Sequence, residues 1–251
     1  MRNAAPNNNV SASDPLASVS IIATGSYLPE KILTNADLEK MVDTSDEWIT
    51  TRTGIKERHI AAENQASSDL GAEAAKRALA KAGIAPEDID MIIVATVTPD
   101  MAFPSTACFI QKILNATNAV CFDLEAACSG FLYGLEIAHQ FIASGTAKTA
   151  LVIASEKLSC VTDWQDRASC ILFGDGAGAA ILQRRPESQG IITNVLASDG
   201  RLGHLLYLPG GGSRNPASER TLKERLHYMK MAGREVFKHA VSCMLNISNQ
   251  A

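Results

Sequence analysis

The chain has 251 residues, 46% of them hydrophobic and 20% charged, with a formal net charge of −4. That length suits one large domain or two small ones, with enough apolar material for a sizeable core. The acidic balance argues against nucleic-acid binding through a broadly basic surface, and no uninterrupted apolar run reaches membrane-spanning length, so neither nucleic acid nor membrane is an expected partner.

Residues 1–17 are rich in Asn, Ala, Ser and Pro and lack the apolar run of a signal peptide; they are expected to form a disordered tail. Residues 19–23 are a β-rich run that Tyr27-Leu28-Pro29 breaks. Thr34 can N-cap a helix, with Asp37 at the capping-box position and Leu38, Met41 and Val42 on one face. SDEWITTRTGI reads as a short helix capped by Ser45 and stopped near Gly54. Ser68 opens a longer helix, whose alanines permit close packing and whose Gly83 suits the residue past its end. Asp90 leads into MIIVATVT, a continuous apolar run of the kind buried on both faces of a sheet.

Next come a helix in PSTACFIQKIL, a strand in AVCFDLEA, a helix in GFLYGLEIAHQFIASG and a strand in TALVIASE. ASCILFGDGAGAAILQR predicts two strand pieces around the glycines at 174–178, and GIITNVLAS the start of a further strand. A Gly-rich loop follows Pro209, then a helix from about Met231. Strands alternating with helices, the strands apolar, predict an α/β layered fold.

The six cysteines, at 108, 121, 128, 160, 170 and 243, form no CxxC pair and no zinc-like spacing, which favours a reduced, cytosolic setting over a disulfide framework. Cys128 differs from the rest. It lies in DLEAACSGFLYG, between a strand and a helix and among small residues. At a helix start, orphan N–H groups and the positive end of the macrodipole stabilise a thiolate, and the thiolate is the nucleophile. A buried thiol filling the turn fits the local sequence as well. The other five read as buried fillers. GDGAGA lacks the dinucleotide spacing and a strand follows it, so it is expected to be a tight backbone crossing; GGGS lacks the P-loop lysine and is expected to be a flexible loop.

The blocks TGSYLPEKILTNADLEKMVDTSDEWITTRTGIKERHIA, AFPSTAC, AACSGF, FGDGAGAA, LPGGGSRNP and MAGREVFKHAV occur in one order between about Val19 and Val241. Together they resemble the β-ketoacyl-acyl-carrier-protein synthase III family of thiolase-like condensing enzymes, which initiate type II fatty acid synthesis. The resemblance implies a thiolase-like αβαβα layered sandwich and a cytoplasmic homodimer. It also implies an acyl group passed from acyl-CoA, usually acetyl-CoA, to Cys128, then decarboxylative condensation with malonyl-ACP. No cofactor or metal is implied, the CoA thioester being a substrate.

By the same resemblance Trp48 would stack on adenine, with Arg52 on its other side, Arg167 a second arginine at the nucleotide end and Thr44 nearby. Leu172 and Phe173 would line the pocket near the sulfur. Phe237 would stand beside the cysteine, with Met231 and Gly233 along the pantetheine channel. Phe103 would reach across the dimer into the acyl pocket. Taken alone, Trp48 reads equally as a core anchor, the two arginines as solvated charges and Phe103 as core packing.

The resemblance further implies a catalytic His in a PHQAN-like motif and an Asn in a GNTSAAS-like motif. Neither string is among the 251 residues, so no catalytic role is carried onto His59, His139, His204, His227 or His239. The expected organisation is therefore a tail at 1–17, an N-terminal half at 18–187 and an incomplete second half at 188–251. Loss of the two donors would raise the condensation barrier by about several kcal/mol. Two alternatives stand beside the synthase: a non-catalytic chain that only dimerises or binds acyl-CoA, and a related polyketide starter synthase.

Overall fold

The computed structural model describes residues 18–185 and 190–251; the tail expected at 1–17 lies outside them. In chain order the strands and α-helices are β1 (Ser18–Tyr27), β2 (Lys31–Thr34), α1 (Asn35–Leu38), α2 (Asp46–Thr53), β3 (Glu57–Ile60), α3 (Ser67–Ala82), β4 (Met91–Ala95), α4 (Thr106–Leu114), β5 (Val120–Leu124), α5 (Gly130–Ala143), β6 (Thr149–Lys157), α6 (Arg167–Cys170), β7 (Asp175–Arg185), β8 (Leu206–Tyr207), α7 (Glu219–Lys223), β9 (Lys230–Met231) and α8 (Gly233–Ser248).

The apolar run at 91–95 is buried at every position, as its lack of alternation predicts. It is β4, flanked by parallel β5 and β6 in a sheet ordered β1-β7-β6-β4-β5. Parallel neighbours need crossovers, and α4 and α5 supply them. β7 runs antiparallel between β1 and β6. Successive side chains of β4 point to opposite faces. Ile92 and Val94 pack under the alanines of α3 at 72, 74, 75 and 78. Met91 and Ile93 pack under Leu135, Ala138 and Ile142 of α5. Helices thus cover both faces, and the layered α/β architecture follows. β2 and β3 form a separate antiparallel ribbon, and β8 with β9 another. Among the described residues no helix is long and apolar enough to cross a membrane.

Local signals set several boundaries. Thr34 and Asp37 close a reciprocal capping box on α1, and Ser45 Oγ accepts from Trp48 N–H at 3.1 Å on α2. Gly54 (φ 72°) and Gly83 (φ 66°) end α2 and α3 in the left-handed region.

Other expectations are corrected. α1 stops at Leu38, so Met41 is exposed rather than sharing the face of the buried Leu38. α3 begins at Ser67, because Asp100 takes both the amide and the hydroxyl of Ser68 at 2.9 and 2.6 Å. The GDGAGA glycines do not split two strands. Gly176 and Gly178 lie in the single strand β7, facing Glu156 and Ser26, and Gly174 immediately precedes it. The first part of that segment is helix α6 instead. Residues 190–198 form no strand; Gly190 N–H reaches Ser18 Oγ at 3.0 Å and Ile191 N–H reaches Val19 O at 2.9 Å, and no ladder follows among the described residues. The GGGS loop is pinned at its start, with Gly210 buried and its N–H on Leu226 O at 2.7 Å.

Candidate active site

Cys128 sits on a single 3-10 turn, Ala127–Ser129, between the end of β5 and the start of α5. Ala127 there has φ 45°, a conformation unfavourable for a residue with a Cβ. The turn is sharp, and the Cys128 side chain is exposed. A Cβ on Gly130 would lie 2.9 Å from Ala95 Cβ, and one on Gly134 would lie 2.8 Å from Val152 Cγ1. The helix therefore rests directly on β4 and β6, and the small residues of the motif are needed for that approach. Cys128 stands beyond the carboxyl end of β5, where open α/β sheets place their sites. Ser129 N–H donates to Ala126 O at 3.1 Å, whereas the Cys128 amide has no backbone acceptor among the described residues. That amide and the N-terminal end of α5 offer a positive field to an anionic sulfur or to an oxyanion beside it.

The other thiols differ from one another. Burial first, then Cys108 and Asp123, pushes Cys121 up to about 11. Burial also raises Cys170. Cys170 is the buried filler expected, and Cys108 and Cys121 are half-buried. Cys160 and Cys243 are exposed, contrary to expectation: one sits on a short turn after β6, the other on α8, a helix without a buried residue.

The structure brings Trp48, Arg52 and Arg167 together. Both guanidiniums lie 4.4 Å from the centroid of the Trp48 ring. The half-buried ring rests on the cluster of Leu38, Ile49, Cys170 and Ile171, which Leu172 also joins. Asp43 Oδ2 is 3.7 Å from Arg167, the two side chains being exposed. Thr44 Oγ1 is buried without a hydrogen-bonding partner. Two cations over one indole form a surface suited to a flat anionic ligand.

The remaining expected site residues are more dispersed. Phe173 is half-buried. It precedes Gly174, where a Cβ would meet Arg58 Cβ at 2.9 Å and His59 O at 3.1 Å, so the crossing expected of GDGAGA is made at its first glycine. Asp175 fixes that crossing by accepting from Ala61 N–H at 2.7 Å, Ser159 N–H at 2.8 Å and Ser159 Oγ at 2.6 Å. Met231 lies on β9 and Gly233 opens α8. Phe103 and Phe237 are 84% and 72% exposed, so neither packs in the core of this chain. His59 meets Pro29 O at 2.5 Å, His204 meets Arg201 O at 3.0 Å and His227 meets Thr221 Oγ1 at 2.9 Å; none of these bonds involves Cys128. Among the described residues no group of three or more His, Cys, Asp or Glu could hold a metal ion.

Sequence reasoning missed Arg58 and Asn35. Arg58 is only 5% exposed, and burial lowers the pKa of its guanidinium. A charged residue in a four-residue strand, ERHI, gives no sign of this.

The family model for 3-oxoacyl-(acyl-carrier-protein) synthase III matches residues 122–200. The β-ketoacyl-(acyl-carrier-protein) synthase III of Caldanaerobacter subterraneus subsp. tengcongensis is 61% identical over 224 residues, which are 89% of this chain and 68% of that protein. That of Natranaerobius thermophilus is 57% identical over 239 residues, 94% of this chain and 73% of that protein. The crystal structure of 3-oxoacyl-(acyl-carrier-protein) synthase III from Aquifex aeolicus superposes with a TM-score of 0.79 at 50% identity, covering 88% of this chain and 67% of that one. With this likeness over most of its length, and an exposed cysteine at the strand-to-helix turn of a thiolase-like fold, the chain belongs to the β-ketoacyl-acyl-carrier-protein synthase III family of condensing enzymes.

Proposed function

We propose that Cys128 is the acyl acceptor of a β-ketoacyl-acyl-carrier-protein synthase III that initiates fatty acid synthesis. In the first half-reaction the thiolate attacks the acyl-CoA carbonyl, the Cys128 amide and the N-terminal end of α5 stabilise the oxyanion, and CoA leaves as its thiol after taking a proton. In the second, malonyl-ACP loses carbon dioxide, the resulting carbanion attacks the Cys128 thioester, and 3-ketoacyl-ACP departs as the thiolate is restored. The motif strings that the resemblance implies for the His and Asn of this second step do not occur in the 251 residues, so the first step is the one this chain's own residues explain.

Trp48, Arg52 and Arg167 would hold the nucleotide end of CoA. A planar base can displace one guanidinium from the indole face, leaving both cations near the phosphates. Thr44 Oγ1 supplies a hydrogen-bonding group at the same end. Met231, Gly233 and Phe237 would border the pantetheine arm, and Leu172 and Phe173 the acyl end. Phe103, exposed on this chain, would be covered by a second copy in a cytoplasmic homodimer and limit the acyl pocket there.

The observation that carries the proposal is the exposed Cys128 on its positive-φ turn above Gly130. Incubation with acetyl-CoA followed by intact-mass and peptide analysis tests it. The expected result is one acetyl group on Cys128, absent from Cys128→Ala. A folded chain that stays unmodified, or is acetylated elsewhere, refutes the assignment.

A further inference from the structure

The two halves of the proposed nucleotide clamp lie far apart in sequence: Trp48 and Arg52 on α2, Arg167 on α6. Behind them is a buried polar relay that nothing above uses. Arg58 Nη2 donates to Ile171 O at 2.7 Å, at the residue that caps the end of α6. Arg58 Nη1 donates to Asn35 Oδ1 at 2.8 Å, and a longer approach of 3.4 Å runs to Leu33 O. Asn35 is 1% exposed, and its Nδ2 donates to Asp46 Oδ1 at 2.7 Å and to Ile55 O at 2.8 Å. Asp46 is the first residue of α2, and Ile55 follows the Gly54 that ends it. One chain of charge-assisted and amide hydrogen bonds thus grips both ends of α2 and the end of α6.

The relay is unusual in energy as well as in place. None of the acceptors bonded to the Arg58 guanidinium is a carboxylate, and Nε is buried without a partner. Burying a cation among neutral acceptors is costly, and hydrophobic filling of the same space would cost less. A merely space-filling role does not account for it; a fork with two donors in fixed directions does, because it sets the distance between two elements at once.

We propose that Arg58 and Asn35 are positioning residues that set the separation of α2 from α6, and through it the spacing of Trp48 and Arg167, whose 4.4 Å stack must part to admit the nucleotide end of acyl-CoA. The inference rests on the reading of Trp48 and Arg167 as that clamp.

The test uses the 251-residue chain and two acyl donors: acetyl-CoA, and the N-acetylcysteamine thioester of acetate, which carries the same thioester and no nucleotide. Acylation of Cys128 is followed by intact mass, giving a half-saturating concentration and a maximal rate for each. Arg167→Ala checks the clamp itself: it raises the half-saturating concentration of acetyl-CoA about tenfold and leaves the short donor within about twofold. No effect on acetyl-CoA refutes the clamp, and with it the ground for this inference. Given the clamp, Arg58→Met gives the same split, about tenfold against about twofold, with the maximal rate kept. Arg58→Lys, which keeps the charge but not the fork, recovers part of the loss. Asn35→Asp, which replaces the donor toward α2 with a carboxylate oxygen facing Asp46 and Ile55 O while keeping an acceptor for Arg58, also shows the split. If Arg58→Met does not fold, Arg58→Lys and Asn35→Asp decide. Equal losses with both donors, no loss with either, or failure of these two conservative variants to fold assigns the relay to general stability and overturns the inference.

Discussion

Gly130→Ala adds one methyl group at the place where α5 meets the sheet. The new Cβ would lie 2.9 Å from Ala95 Cβ, while comfortable carbon contacts begin near ~3.5 Å, so helix and strand would have to part by about 0.6 Å. Overpacking of this kind costs about 1–3 kcal/mol. Alanine also gains up to about 1 kcal/mol of helix propensity over glycine, so the single variant can look nearly neutral in stability. A double-mutant cycle separates the terms. Ala95→Gly removes the opposing methyl group, and the next neighbour of the new Cβ outside its own helix is then Ala95 Cα at 3.8 Å. The pair should therefore couple favourably by about 1–3 kcal/mol in denaturant unfolding, although Ala95→Gly alone costs about 1 kcal/mol. The same displacement carries Cys128, two residues away, off its position, and acetylation by acetyl-CoA should slow roughly tenfold in Gly130→Ala and recover in the pair. Additive stabilities, within about 0.5 kcal/mol, together with an unchanged acetylation rate would refute the claim that the Gly130–Ala95 contact sets the height of the nucleophile.

Three further outcomes can be checked. Asp175→Asn replaces one acceptor oxygen with a donor facing N–H and O–H groups, and unfolding should show a loss of about 1–3 kcal/mol; a loss below about 0.5 kcal/mol would mean that the FGDG crossing is held otherwise. The Thr34 hydroxyl, then Lys40, holds Asp37 at about 2, below its ordinary 3.8. A depressed folded value means stability that is present above the unfolded value and is lost as pH falls through the folded one, here between about pH 4 and 2. A carbon-detected titration should place Asp37 near that lower value and Thr34→Val should raise it; an ordinary midpoint in both contradicts the capping box. Finally, a thiol ionising near 11 is about one part in a thousand thiolate at pH 8, so iodoacetamide mapping should find Cys121 far slower than Cys243, and equal rates would contradict its burial.

The local signals were legible because their physics is local. Ser45 and Gly54 bound α2, and Thr34 with Asp37 starts α1, since a cap involves only residues three or four apart. The unbroken apolar run at 91–95 revealed a central strand before any neighbour was known. The split into two strands at the GDGAGA glycines was misjudged because glycine is read as a breaker, whereas pairing by β1 and β6 keeps the chain extended from Asp175 onward. That Ser68 bonds to Asp100, thirty-two residues away, was not legible, because no window around Ser68 contains that partner.

The site divides in the same way. The order of residues around Cys128 determines a turn of small residues entering a helix, and the motif strings determine the family. That Arg52 and Arg167 share one indole ring, that Gly130 must be bare because Ala95 is there, and that Arg58 lies buried between Asn35 and the end of α6 were decided only by the tertiary structure. The physical reason is that hydrogen bonds, close contacts and charge burial depend on distance in space, while sequence fixes distance only along the chain.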